Sequence, residues 1–170
     1  MKKVLKLTLA VVCVMFSTSL FAQKIGRISS QEVVVNMAEY KEAQTQLEAL
    51  AKDLQAQMET IQVEMNTKIQ EYQKGAETMT DAVRQLKEKE LDDISVRIEQ
   101  FQQVAQQDIQ NEQNKLMAPI FEKVKTTINE VAKEGGYIFV YDVTTGTMAY
   151  IDEAVVTDLG PAVRTKLGIT

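Results

Sequence analysis

The sequence predicts an α+β protein that is mostly helical, with a long antiparallel coiled-coil hairpin projecting from a small β-body. Two observations predict this fold class. Apolar residues recur in steps of three and four from residue 40 to residue 79, and a second apolar stripe, with polar gaps near Lys87 and Glu112, runs from residue 83 to residue 131. Short alternating stretches typical of strands stand on either side of these runs, at residues 24–28 and 137–141.

The first helical run has the spacing of a coiled-coil seam. Its apolar positions lie about 3.5 residues apart on average, which is narrower than the apolar face of a globular helix. Gln, Glu, Lys and Thr fill the gaps and are expected to form a solvated outer surface. The seam positions are Tyr40, Ala43, Leu47, Leu50, Leu54, Met58, Ile61, Met65, Ile69, Tyr72, Ala76 and Met79.

A second seam answers the first, and the segment between them predicts the tip of a hairpin near residues 75–80. Gly75 can end one helix, while Thr80 or Asp81 can cap the next. Helices of about 38 and 53 residues follow, with residue i facing roughly residue 155 − i. The second seam comprises Val83, Leu86, Leu91, Ile94, Ile98, Phe101, Ala105, Ile109, Leu116, Ile120, Val124, Ile128 and Val131.

The flanking segments predict the β-body, with residues 23–36 as its first part, residues 37–118 as the arm, and residues 119–170 as the end of the arm helix and the rest of the body. Ser29 and Glu32 can cap a short helix reciprocally. After Gly135 and Gly136 end the long helix, strand 137–141 is expected to turn at residues 142–146 and return as a hairpin over residues 147–151. Asp158 can cap a final short helix.

So small a sheet leaves open edges and buries little apolar surface, which predicts an obligate oligomer that pools strands from several chains. Subunit packing is the predicted role of the aromatic and branched residues in the two strands. The residues assigned to the oligomeric body are Ile25, Ile28, Tyr137, Phe139 and Tyr141.

Residues 1–22 have the pattern of a cleaved secretory signal peptide, with three lysines, a short apolar run and Ala22 at the cut. The bulky residues before Cys13 argue against lipid attachment there. Cleavage would leave 148 residues with 16 basic and 24 acidic side chains, a formal net charge of −8, and no Cys, His or Trp. This inventory excludes His-based and Cys-based catalysis and Cys/His zinc sites, and it disfavours nucleic acid as a partner. We therefore expect neither an enzyme nor a cofactor.

Several segments resemble the Skp/OmpH family of periplasmic chaperones. Residues 117–124 (MAPIFEKV) and 128–140 (INEVAKEGGYIFV) are similar to the end of the family's second arm helix and its following strand. Residues 25–33 (IGRISSQEV) resemble its opening strand and turn, and residues 158–167 (DLGPAVRTKL) its closing helix. The resemblance covers essentially the whole chain after the signal peptide. It implies a periplasmic homotrimer with a β-body and helical arms that encloses unfolded outer-membrane proteins without ATP.

One feature departs from the family pattern. Characterised members are often basic, whereas residues 64–99 of this chain carry six basic and nine acidic side chains. A lipopolysaccharide site is therefore not carried over, although contact with the membrane surface stays open. The alternative function is a structural spacer or adaptor of the cell envelope, whose arms would dock a fixed partner.

The predicted client-binding residues lie on the arm. Val63 and Val96 each stand two positions from a seam residue, so both are expected to point away from the seam, and we interpret them as an apolar strip facing the client. Stray surface valines are the simpler reading. Met58, Met65 and Met79 are adaptable contact residues that equally suit the seam itself.

Overall fold

A computed structural model of the chain describes residues 24–146 and 149–169. The predicted signal peptide and Cys13 lie outside the described residues. Long helices dominate, and a sheet of three short strands accompanies them. In chain order the elements are β1 (Lys24–Ile28), α1 (Ser30–Val35), α2 (Ala38–Gly75), α3 (Asp81–Gly135), β2 (Tyr137–Asp142), a 3₁₀ turn (Val143–Thr145), β3 (Val156–Asp158) and α4 (Gly160–Leu167).

The long helices begin and end where the sequence places their caps. α2 has 38 residues and α3 has 55. The hydroxyl of Thr80 accepts a hydrogen bond from the backbone N–H of Val83 (3.4 Å), which satisfies one of the free donors at the start of α3. At the other end Gly136 adopts a φ of 70°, a conformation that glycine takes without strain and that stops the helix.

Contacts within the chain divide it into two compact units. Among the described residues, the first unit comprises those up to Val33 and those from Val124 onward, and the second comprises Val34–Lys123. All three strands belong to the first unit, whereas α2 and most of α3 belong to the second. The assignment of residues 37–118 to an arm stays a prediction.

The first unit is built on a parallel sheet in which β1 lies between β2 and β3. Arg27 of β1 stands opposite Tyr141 of β2 and Asp158 of β3. Beyond β3 the N–H of Leu159 donates to the carbonyl of Arg27 (2.9 Å). Among the described residues, the outer edges of β2 and β3 have no further strand beside them.

The third strand differs from the prediction. Residues 147–151 were expected to return along β2 as a hairpin, but the described part of that segment, residues 149–151, is not a strand. The chain instead reaches the far edge of β1 and pairs there through Val156–Asp158. This pairing brings the Asp158 carboxylate to 3.8 Å from the Arg27 guanidinium and buries Leu159 almost completely. The burial of Leu159 and the pairing of Asp158 with Arg27 thus favour Val156–Asp158 as the third strand over residues 147–151, which alternate in a similar way.

The core of the first unit contains buried side chains from the sheet and from α1, α3 and α4. Gly26 permits close packing there, because a Cβ at this position would lie 2.4 Å from Cδ1 of Leu159. Glycine therefore lets Leu159 rest directly on β1. The side chains with almost no exposure in this unit are Ile28, Val33, Val124, Leu159 and Val163.

Asp142 joins the end of β2 to the start of α1. Its carboxylate accepts hydrogen bonds from the N–H and the hydroxyl of Ser30, the former at 3.1 Å, and from the N–H of Thr144 at 3.0 Å. Partial burial raises the pKa of Asp142, but the hydrogen bonds from Ser30 and Thr144 outweigh burial and hold the pKa below its ordinary value. The ionised carboxylate is thus the form that stabilises this junction.

Replacing Asp142 by alanine should lower the free energy of unfolding by about 1–2 kcal/mol at neutral pH, because the N–H of Ser30 at the start of α1 and the N–H of Thr144 lose their acceptor. A depressed folded pKa means that this stabilisation is present above the ordinary pKa of 3.8 and is lost as the pH falls through the folded value. The difference between wild type and variant should therefore shrink at pH 3. Thermal unfolding followed by circular dichroism at both pH values measures it.

Asp92→Ala is the matched control, since it removes an exposed carboxylate and should unfold like the wild type. Equal stability of Asp142→Ala and Asp92→Ala at pH 7 would contradict the capping role.

Candidate functional site

The seam predicted from residue 40 to residue 79 is confirmed as a row of buried and half-buried side chains in the second unit. Ala43 is buried, and every other predicted position in this run is half-buried, including Met58, Met65 and Met79. A seam between two helices covers only one side of each residue, which explains why burial is partial. The three methionines therefore pack within the chain.

On α3 most of the predicted seam positions are buried or half-buried, but three are not. Ile94 and Ile120 are buried, and most other predicted residues are half-buried. Val83, Leu86 and Ile109 are exposed instead, which corrects the prediction. Charged side chains are half-buried near these positions instead. Lys87 and Glu90 are half-buried near the start of α3, and Glu112 is half-buried one heptad after Ala105.

Ion pairs connect α2 to α3 where the apolar seam is interrupted. Nζ of Lys68 lies 3.2 Å from Oε2 of Glu90, and Nζ of Lys87 lies 3.1 Å from the same oxygen and 3.8 Å from Glu71. Hydrogen bonds from Lys87 and Lys68 lower the pKa of Glu90, and the contact with Glu90 raises the pKa of Lys68. Glu90 is therefore the shared acceptor of two cations.

The cross-helix contacts follow a regular order along the two helices. As the residue number rises along α2, the number of its partner falls along α3. The sums of the paired residue numbers lie between 158 and 162, compared with the 155 expected from the sequence. The pairs are Glu39 with Lys123, Glu64 with Arg97, Lys68 with Glu90, Glu71 with Lys87, and Tyr72 with Glu88.

Val63 and Val96, the two predicted client-binding valines, are exposed on the outer sides of the helices. Val63 is 57% exposed and Val96 is 44% exposed. Each follows a buried or half-buried seam residue, Ile61 or Ile94, by two positions, so it is turned by about 200° from the seam. In one chain the two valines therefore face opposite outer edges of the helix pair. Their assignment to an apolar strip that faces a client stays a prediction.

Sequence reasoning missed two further exposed apolar residues of α3. Val104 is 57% exposed beside the seam residue Ala105, and Phe121 is 52% exposed beside buried Ile120. The available signal was their adjacency to a seam residue, because the next position on a helix is turned by about 100°. Together with Val63 and Val96, they give the second unit apolar points on more than one side.

The residues assigned to an oligomeric body divide into accessible and inaccessible groups. Phe139 is 53% exposed, and its neighbour on the paired strand β1, Ile25, is also exposed. Tyr137 is half-buried, whereas Ile28 is enclosed within its own chain. Tyr141 is 8% exposed and stacks on Phe139 with 6.3 Å between ring centroids. Only part of the predicted set is therefore available to another chain.

The hydroxyl of Tyr141 has an unusual environment. Among the buried side-chain nitrogen and oxygen atoms of the described residues, it is the one without a hydrogen-bond partner. Desolvation raises the pKa of Tyr141, so its phenol stays neutral. A buried hydroxyl without a hydrogen-bond partner carries a desolvation cost.

The second unit also contains a shallow apolar groove of about 290 Å³ beside Pro119, where Lys123 and Glu39 form an ion pair. In the described part of the chain, no three His, Cys, Asp or Glu side chains are grouped closely enough to hold a metal ion. None of the described helices has the length and apolar character needed to span a membrane.

Comparison with known proteins decides the family. A family profile described as "Outer membrane protein (OmpH-like)" matches residues 24–167. The chain belongs to the OmpH-like family. No curated protein sequence matches it. A crystal structure of an OmpH-like protein from Caulobacter crescentus CB15 has a similar fold, with a TM-score of 0.71 and 14% sequence identity over 84% of this chain and 82% of that chain.

This match confirms the resemblance to the Skp/OmpH family that residues 25–33, 117–124, 128–140 and 158–167 indicated. The family profile spans both units of this OmpH-like protein. The similarity to the Caulobacter structure extends over most of this chain, so the two proteins share their overall fold.

Replacing Glu90 by glutamine should loosen the start of α3 in this OmpH-like protein, because Lys68 and Lys87 lose the negative charge that they share. Amide hydrogen exchange of residues 84–92 should accelerate by a factor of about two to five, in line with the modest strength of exposed ion pairs. Exchange near Ala43, where the seam is apolar, should not change. Mass spectrometry of peptic fragments measures both regions.

Glu99→Gln removes an exposed carboxylate from the same helix and should leave exchange at residues 84–92 unaltered. Unchanged exchange in Glu90→Gln as well would show that the charge network does not hold the helices together.

Proposed function

We propose that this OmpH-like protein is an ATP-independent holdase chaperone of the periplasm, which binds unfolded outer-membrane proteins and prevents their aggregation. The observation that carries the proposal is the pair of long helices, which share one narrow seam and present isolated apolar side chains on their outer faces. Family membership supports it, as does the Caulobacter relative, which is described as a candidate outer membrane chaperone.

The proposed arm is an antiparallel hairpin of α2 and α3 with its tip between Gly75 and Asp81. The falling order of partners along α3 supports this direction, since parallel helices would pair residues whose numbers rise together. Helical side chains lean toward the N-terminus by about one residue. In antiparallel helices this lean raises the sum of paired numbers by about two, which accounts for part of the offset from 155.

The proposed assembly is a homotrimer that joins through the sheet. Parallel sheets are normally covered on both faces, yet Phe139 and Ile25 are exposed here. The open edges of β2 and β3 offer unpaired backbone groups, and Tyr141 lacks a partner for its hydroxyl. Contact with further copies of the chain would supply all three needs. The number of three rests on the resemblance to the Skp/OmpH family.

The mechanism proposed is shielding by many weak contacts. Unfolded barrel proteins expose alternating apolar strands that aggregate through their open edges. Single valines and a phenylalanine along the arms contribute little each, but several arms in one oligomer raise the effective concentration of contacts. Such contacts need no energy source, because folding of the client into the membrane competes with them and releases it.

The test of this function is the light scattering of a urea-unfolded outer-membrane barrel protein diluted with and without the signal-free chain. We expect scattering to be suppressed at about one oligomer per client, with the complex sized by multi-angle detection. Continued aggregation beside a well-folded oligomer would overturn the chaperone proposal and favour the envelope spacer.

Changing Val63 or Val96 to aspartate should weaken binding of the unfolded client by about threefold to tenfold each, since an apolar contact is replaced by a solvated charge. The two effects should be independent, because the valines face opposite edges. Fluorescence titration of a labelled client measures the dissociation constants. Gln55→Asp, which adds the same charge to an exposed position of α2, is the control. Wild-type affinity in both valine variants would remove them from the binding surface.

Changing Phe139 to aspartate should dissociate the oligomer, because a charge would be buried against another subunit without a partner. Multi-angle light scattering at micromolar concentration should then give the mass of a monomer. Val63→Asp, on the arm, should keep the mass of the wild type. An unchanged mass for Phe139→Asp would place the oligomer interface elsewhere.

A further inference from the structure

One stretch of α3 is composed mainly of amide side chains. Residues 102–114 contain six glutamines, two asparagines and two acids, with no basic residue. All eight amide side chains are exposed. In the rest of α3, 17 charged side chains outnumber three amides, and in α2 eight amides are spread among 11 charged side chains, which serve solubility better than amides do. The clustering of amides in residues 102–114 therefore requires an explanation other than solubility.

Four of these glutamines form a continuous surface that we call the amide face: Gln103, Gln106, Gln107 and Gln110. They line a shallow depression of about 240 Å³. Their spacing of three, four and seven residues places them on one side of the helix. Gln103 follows the seam residue Phe101 by two positions, so this side is turned away from α2. Val96 lies one heptad before Gln103, and the amide face therefore continues the line of exposed Val96.

Hydrogen bonds within the helix order part of this surface. Nε2 of Gln107 donates to Oδ1 of Asn111 at 2.9 Å, and Nε2 of Gln110 donates to Oδ1 of Asn114 at 3.2 Å. The side-chain amides of Gln103 and Gln106 have no hydrogen-bond partner within residues 24–146 and 149–169. Each primary amide offers two donors and one acceptor oxygen, so these two side chains are free to bind a partner.

We propose that the amide face binds an extended polypeptide segment through the backbone N–H and C=O groups of that segment. This proposal rests on the holdase function and names a second mode of client contact beside the valines. Extended chains repeat their backbone groups on one side about every 6.6 Å, close to the 5–6 Å between helical side chains one turn apart. Neutral amides match neutral peptide groups whatever the client's sequence, and they avoid the repulsion that an acidic surface would exert on acidic clients.

The test compares the wild type with Gln103→Met/Gln106→Met, which keeps side-chain length and helix propensity but removes the hydrogen-bonding groups. The probe is a neutral twelve-residue peptide of alternating threonine and alanine, beside the same peptide with its alanine nitrogens methylated. We expect the double variant to bind the unmethylated peptide about tenfold more weakly, since two hydrogen bonds are lost. The loss should be smaller for the methylated peptide, because that peptide retains only its threonine N–H groups as backbone donors.

Gln55→Met/Gln57→Met, at exposed positions of α2, is the matched control and should bind both peptides like the wild type. Equal or tighter binding of the unmethylated peptide by the Gln103/Gln106 variant would overturn the proposal, because apolar contact would then suffice. No measurable binding of that peptide to the wild type would overturn it too. Retained suppression of barrel-protein aggregation in either case would leave the holdase function standing.

Discussion

A seam between two helices buries one side of each and leaves the other to solvent. In this chain the seam is narrow along its whole length: most of its residues are half-buried, and near the start of α3 it passes from apolar side chains to the charges of Lys68, Lys87 and Glu90. The rest of the second unit follows from this constraint. Outer positions must be polar for solubility, and any apolar or neutral residue placed there is available to a partner.

The first unit has a different constraint, because three short parallel strands cannot cover both faces of their own sheet. Gly26 lets Leu159 close one region tightly, and Asp142 fixes α1 to the end of β2. Phe139 stays exposed, and the hydroxyl of Tyr141 stays without a partner. These exposed and unsatisfied groups are the basis of the proposal that the chain assembles with further copies.

The long helices could be read from the sequence because seam spacing, Gly75 and Thr80 are local signals. The exposure of Val83 and Leu86 could not, since it depends on Lys87 and Glu90 finding partners across the seam. The position of β3 was likewise out of reach: residues 147–151 and Val156–Asp158 are both compatible with a strand, and only packing against β1 chooses between them.

The candidate site was predictable in part. A residue two positions from a seam residue points away from the seam. The sequence could therefore place Val63 and Val96 on the surface, and both are exposed. Their separation on opposite edges required knowing that each helix turns its seam toward the other. The glutamines of the amide face gave no signal, because a solvated helix surface and a binding surface made of amides have the same pattern in the sequence.

The central claim, that clients bind the outer faces of α2 and α3 while the seam stays closed, is tested most directly by carbene footprinting of the oligomer with and without a urea-unfolded barrel protein. We predict that labelling falls at Val63, at Val96 and on the amide face, and that Ile94 and Ile120 stay unlabelled. Protection confined to the first unit, or new labelling of the seam as the helices separate, would contradict the claim.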